Sequence, residues 1–322
     1  MSEPDGIPVM PRPRVAISLG DPRGIGPEVT RKALEDPEIA AAADFLLVGP
    51  ETMQPGAQHL PVGRWAPQDG APAAGKLAGR AIEAAVALAL RGEVDALVTA
   101  PIDKAAFRAG GWHFPGHTEM LQALSGVPAV GMMMAAERTL AGAGLRVVLA
   151  TTHLALREVP AALSTMLLVE QALLTQAALQ QWWEIREPAI ALCAVNPHAS
   201  DGGLFGDEEA RIILPAIEAL AARGISASGP IPADTVFTRA LRGEFDAVIA
   251  PYHDVGMAAF KTAAFGSGVN VTLGLPFPRT SPDHGTALDI AGRDIADASS
   301  MKEAIRLAIR LARRFDTSGA SR

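Results

Sequence analysis

Three of the seven histidines stand in the same local setting. His153 follows LRVVLATT, His198 follows AIALCAVNP and His253 follows DAVIAPY, so each imidazole lies just past an apolar run that reads as a buried strand. In parallel α/β sheets the carboxyl ends of the strands are where ligands bind. A histidine taken singly is more often a hydrogen-bonded structural residue; three in one setting point to a divalent metal held by neutral imidazoles. Such a set leaves one or two coordination positions open for substrate oxygens, which is the arrangement of a catalytic centre. The spacings are long and irregular, so this is a constellation inferred from strand ends and not a compact motif such as HExxH.

The other chemistry is for anions. Lys and Arg number 28 against 35 Asp and Glu, a formal charge of -7 that would repel a nucleic-acid backbone or an anionic membrane. Basic groups that bind an anionic substrate must then be few and local, with Lys261 and Arg279 as candidates. The segment GDPRGIGPE (Gly20 to Glu28) reads as a strand-to-helix loop whose amides could receive an anion, or as a tight turn; it matches neither GxGxxG nor a P-loop. PGHTE (Pro115 to Glu119) and NPHASDGGLFGDEE (Asn196 to Glu209) have the same loop character. In the second, Asp207, Glu208 and Glu209 suit the start of a helix, where carboxylates complement the dipole.

The elements that must position these groups are short apolar runs alternating with Ala/Leu-rich helical stretches. The runs are Val15 to Leu19, Phe45 to Val48, Ala96 to Val98, Val147 to Ala150, Ile190 to Val195, Ala247 to Ile249 and Val269 to Leu273. That alternation predicts an α/β fold: a largely parallel sheet with helices on both faces. Pro27 and Glu28 suit a first helical turn, Gly92 a position just past a helix end, and Met301 to Phe315 a last helix. RGEVDALVTAP from Arg91 returns as RGEFDAVIAP from Arg242, each reading as a helix end, a glycine, a short strand and a closing proline.

At 322 residues the chain exceeds the usual size of one core, which favours two lobes with a cleft between them. A composition 49% hydrophobic and 20% charged is that of a globular protein. The lone Cys193, in an apolar run, cannot form an intramolecular disulfide and suits a reducing cytoplasm. The opening MSEPDGIPVMPRPR lacks the basic start and apolar stretch of a secretory signal, and Ala81 to Leu90 is too short to span a bilayer.

The motifs GDPRGIGPE, GHTE, ATTHLALREV, NPHASDGGLFGDEE, GPIPADTVF, YHDVGMAAFKT and GVNVTLGLPFPRTSPDHGTALDIAG run in order from Gly20 to Gly292. Together they resemble the 4-hydroxythreonine-4-phosphate dehydrogenase family of pyridoxal phosphate biosynthesis. The resemblance implies a two-lobed fold similar to isocitrate and isopropylmalate dehydrogenases, with residues 14-120 plus 271-322 as one lobe and 121-270 as the other. It implies metal ligation by His153, His198 and His253, and substrate contacts from His117, Thr118, Lys261, Asn270 and Arg279. It also implies NAD (or NADP), a divalent metal (zinc, with magnesium or cobalt as alternatives) and a homodimer sharing its active site. The implied reaction is oxidation and decarboxylation of 4-phosphooxy-L-threonine to 3-amino-2-oxopropyl phosphate. Relatives acting on erythronate or threonate 4-phosphate, or on a cis-dihydrodiol carboxylate, are alternatives, as is a metal-dependent hydrolase or metabolite-binding protein of another class. No resemblance assigns the dinucleotide contacts. The stretch Pro50 to Ala71 is short and Pro-rich for the family, and the first thirteen residues form an extra arm.

Overall fold

A computed structural model describes residues 12–51 and 58–314. It contains eleven strands: β1 Arg14–Ser18, β2 Asp44–Gly49, β3 Gln58–Pro61, β4 Ala96–Thr99, β5 Gly131–Ala136, β6 Leu145–Leu149, β7 Ile190–Cys193, β8 Ala227–Ile231, β9 Ala247–Ala250, β10 Val269–Leu273 and β11 Arg279–Pro282. All belong to one sheet in the order β3-β2-β1-β4-β11-β10-β5-β6-β9-β7-β8. The flanks are parallel, from β3 to β11 and from β6 to β8. Between them the pairings β11–β10, β10–β5 and β5–β6 are antiparallel, so the two parallel flanks run in opposite directions.

Side-chain alternation along each strand divides the core between the two faces. On one flank Ala16, Val48 and Leu97 pack with Ile82, Ala85 and Val86 of the helix Gly70–Leu90. From the opposite face Val15, Ile17 and Val98 join Ala304, Ile305 and Ala308 of the helix Ser299–Arg314. That same cluster continues to Val148 and Ile249 of the other flank and to the helix Thr165–Trp183, so one apolar layer underlies both halves. Val147, Leu149 and Ala250 are covered from the remaining side by the helix His253–Ala263.

The predicted α/β class and helix signals hold. Pro27 and Glu28 lie in the first turn of the helix Gly26–Leu34, and the predicted last helix runs to Arg314, Phe315 falling outside the described residues. Both copies of the repeated segment are built alike: Arg91 and Arg242 cap helices, Gly92 and Gly243 take positive φ (68° and 84°), and β4 and β9 follow. Left-handed backbone is what glycine permits at such a stop. Cys193 is buried and free. Among the described residues no single helix is long and apolar enough to cross a membrane.

Candidate active site

The site begins with Arg279, the first residue of β11, which is only 2% exposed. Its side chain emerges on the face that also carries Thr99 of β4 and Thr272 of β10. Nε donates to the Thr99 hydroxyl at 3.1 Å and Nη1 to the Thr272 hydroxyl at 3.0 Å, and Nη2 also bonds Thr99. Among the described residues no carboxylate pairs with it. Burial pushes its pKa down to about 9, and at neutral pH the group keeps its charge. A buried charge without an opposite partner costs several kcal/mol. The threonines orient the guanidinium without neutralising it.

Arg279 lines a cavity of about 300 Å³ together with His117, Thr118, Asn270 and His153. His117 and Thr118 open the helix His117–Ser125, and Asn270 lies on β10 opposite Ser281 of β11. Three buried polar atoms in this cavity have no hydrogen-bond partner: His117 Nε2, Asn270 Oδ1 and His284 Nε2. Burial pushes the His117 pKa down to about 3, with the Arg279 charge adding to the shift, so its ring is neutral. Orphaned polar atoms around an unpaired cation describe a pocket whose hydrogen bonds a ligand would complete.

His153 joins this cavity to a second one, of about 220 Å³, that it shares with His253. The two rings lie 5.8 Å apart between centroids, close enough for one cation to reach both. Burial first, then the charges of Lys104 and His253, lower the His153 pKa and favour the neutral, ligating form. His253 Nδ1 lies 2.7 Å from the Asp254 carboxylate, the contact that leaves Nε2 free for a metal. Among the described residues no third donor joins this pair in a metal-holding group. His198 is exposed on the loop after β7 and lines neither cavity.

Thus five of the eight expected residues, His117, Thr118, Asn270, Arg279 and His153, come together in one cavity, and His253 adjoins it through His153. Lys261 is ion-paired to Asp283 at 3.2 Å and lines a neighbouring cavity of about 370 Å³, which meets the first at His284. Reading the sequence missed Lys104, Ser281 and His284, all of which line the first cavity, and Thr99, which holds Arg279. Thr99 had a signal: it is a hydroxyl that closes the apolar run Ala96 to Val98, at a strand end.

The fold and site define an α/β protein with an enclosed cationic pocket over the middle of one mixed sheet. A β-decarboxylating dehydrogenase from Thermococcus kodakarensis superposes with a TM-score of 0.50 over 92% of this chain and 83% of its own, at 14% identity, a likeness of fold alone. The chain belongs to the family described as pyridoxal phosphate biosynthetic protein PdxA, whose model matches residues 29–308. It is 42% identical to a 4-hydroxythreonine-4-phosphate dehydrogenase from Geobacter metallireducens, covering 94% of this chain and 96% of that one. It is 41% identical to a D-threonate 4-phosphate dehydrogenase from Cupriavidus necator, over 94% and 98%. The crystal structure of a 4-hydroxythreonine-4-phosphate dehydrogenase from Klebsiella pneumoniae superposes with a TM-score of 0.84, covering 95% of this chain and all of that one at 35% identity.

Proposed function

We propose that this chain is a cytoplasmic, metal- and NAD-dependent dehydrogenase that oxidises and decarboxylates 4-phosphooxy-L-threonine to 3-amino-2-oxopropyl phosphate in vitamin B6 biosynthesis. The observation that carries the anionic substrate is Arg279, a fully charged, enclosed guanidinium with only neutral partners. A phosphate or carboxylate there replaces a lone buried charge by a charge-assisted pair, the strong kind of hydrogen bond. Neutral His117 adds a hydrogen bond without adding charge, and Thr118 and Asn270 orient the same ligand.

His153 and His253 fit a divalent cation by donor chemistry and spacing, with zinc the natural choice for neutral imidazoles. His198 completes the set from a second copy of the chain, which accounts for its absence from the cavities that the pair lines within one copy. A partner also covers Leu156, Met166 and Leu204, which are 68%, 72% and 72% exposed here, around and beyond the histidine loops. When bound, the cation supplies Lewis acidity at the substrate hydroxyl and NAD supplies the hydride acceptor. Hydride transfer needs the two ligands side by side, and the cavity of Lys261, which meets the substrate pocket at His284, offers one adjoining space for the cofactor. The lobes 14-120 plus 271-322 and 121-270 then divide the sheet near the β11–β10 pairing, where the substrate pocket lies.

A second reading, D-threonate 4-phosphate as substrate, is favoured by the Cupriavidus necator relative. The two acids differ by an ammonium group, for which Glu119 and the free Asn270 Oδ1 are acceptors at the pocket. A panel of the two phosphorylated acids with NAD, followed by NADH absorbance and carbon dioxide release, decides. Equimolar NADH and carbon dioxide from 4-phosphooxy-L-threonine is the expected result. Preference for D-threonate 4-phosphate would reassign the substrate, and no NAD reduction with any member would sink the dehydrogenase reading.

A further inference from the structure

Glu209 lines neither histidine cavity, yet it is only 3% exposed and accepts hydrogen bonds from both flanks of the His198 segment. Its Oε1 accepts from the backbone N–H groups of Val195 at 2.8 Å and Asn196 at 2.7 Å. Its Oε2 accepts from Asn196 Nδ2 at 2.9 Å and from the Ser200 hydroxyl. One carboxylate therefore ties residues just before His198 to a residue just after it.

The tied segment needs such a clamp. His198, Ala199, Ser200 and Asp201 have φ of 53°, 54°, 69° and 44°, a run of left-handed backbone in residues that carry a Cβ. Each such residue costs on the order of 1–2 kcal/mol. An untied loop of this sequence would relax and swing the imidazole elsewhere. Glu209 also opens a π-helical turn, Glu209–Ile213, in which Leu214 N–H reaches back to the Glu209 carbonyl. Turns of this type concentrate at functional sites because the extra residue re-aims a side chain. Burial alone would raise the Glu209 pKa, but the hydrogen bonds from Asn196 and Ser200 lower it, and an ionised carboxylate offers acceptors to every donor around it.

We infer that Glu209 is a positioning residue that holds the left-handed His198–Asp201 run so that His198 is presented as a metal ligand. The inference rests on the reading of His198 as a ligand. Glutamine at 209 keeps one acceptor oxygen but turns the other into a donor, so the donors on that side lose their acceptor. Ser200→Ala removes one tie and leaves the other three.

The test titrates the metal-free full-length chain with Zn2+ against a chelating dye, in the parent and in Glu209→Gln, Ser200→Ala and His198→Ala. Hydrogen exchange across residues 195–206 and thermal midpoints are recorded on the same samples. Glu209→Gln is expected to weaken Zn2+ binding by roughly 10–100-fold, the usual effect of removing a partner behind a ligand. It should also speed exchange in the segment and lower kcat more than it alters KM, and Ser200→Ala should move each readout the same way by less. Unchanged Zn2+ affinity in His198→Ala would overturn the ligand reading itself. Loss of Zn2+ in His198→Ala, with parent-like affinity and exchange in both other variants, would overturn the positioning role alone. A lowered thermal midpoint with unchanged Zn2+ affinity would likewise reduce Glu209 to a fold-supporting residue.

Discussion

A guanidinium held by two threonine hydroxyls differs from one held by a carboxylate in what remains available to a ligand. Thr99 and Thr272 fix the plane of Arg279 and leave its charge unopposed. Arg279→Met, similar in size and apolar, should therefore separate binding from folding. We expect substrate binding to weaken by about 2–5 kcal/mol, as when one partner of a buried charged pair is truncated, while the ligand-free thermal midpoint holds or rises. Inorganic phosphate should raise the midpoint of the parent and not of the variant. A variant that binds phosphorylated substrate like the parent would remove Arg279 from the site.

His117 gives a pH dependence with a defined sign. Its ring titrates near its ordinary 6.5 in the unfolded chain and at about 3 in the fold. Between those values the unfolded chain takes up a proton that the folded chain does not. The contribution is therefore fully present above about pH 6.5 and is lost as the pH falls toward 3. His117→Asn, which cannot titrate, should flatten that limb of the stability profile by on the order of a few kcal/mol, measured by urea unfolding across the window. Parallel profiles in parent and variant would contradict the enclosed, neutral ring.

At the level of elements, helices and β-branched strands were legible and strands without a β-branched run were not. β6, β9 and β10 are β-branched runs and were anticipated to within a residue or two. β5 escaped because GMMMAA lacks β-branched residues, and β11 because RTSP is polar and ends in proline. Those strands take part in all three antiparallel pairings and supply Arg279 itself, so the turnover in strand direction at the centre of the sheet could not be read in advance. His153 and His253 were legible because a strand-end rule needs only local sequence. The surroundings of Arg279 were not, because Thr99 lies 180 positions away in the chain.

One helix contact carries a prediction at this scale. A Cβ added to Gly75 in the helix Gly70–Leu90 would meet the Ala106 carbonyl oxygen at 1.9 Å. Alanine in a helix interior ordinarily gains about 1 kcal/mol over glycine. Here the clash is with backbone, which cannot rotate away, and overpacking costs about 1–3 kcal/mol. Gly75→Ala should thus lower the thermal midpoint by several degrees. It should also lower activity by displacing the helix Lys104–Ala109, whose first residue lines the substrate cavity. An unchanged midpoint and rate would show that the two helices separate freely.

For the whole molecule, the division of the histidines predicts how copies cooperate. His153 and Arg279 line one cavity within a chain, whereas the third ligand is assigned to a partner. Mixing inactive His198→Ala and Arg279→Ala chains should give hybrid dimers with one intact site and restore about a quarter of the parent activity. Mixing His153→Ala with Arg279→Ala should restore none, because both changes remove residues of the same cavity. Light scattering should report a dimer at assay concentration. Rescue by both mixtures, or a fully active monomer, would refute the shared site.

The unbroken sheet also sets the mechanics of the catalytic cycle. Backbone hydrogen bonds cross the middle of the molecule at β11–β10 and β10–β5, under the substrate pocket. A jaw swinging on flexible loops would have to tear that ladder, so the halves are coupled like the ends of a leaf spring. The motion this predicts is torsion, a small change in the twist between neighbouring strands. Substrate should then meet a nearly preformed clamp, and its arrival should leave the amides of β10 and β11 as slow to exchange as before.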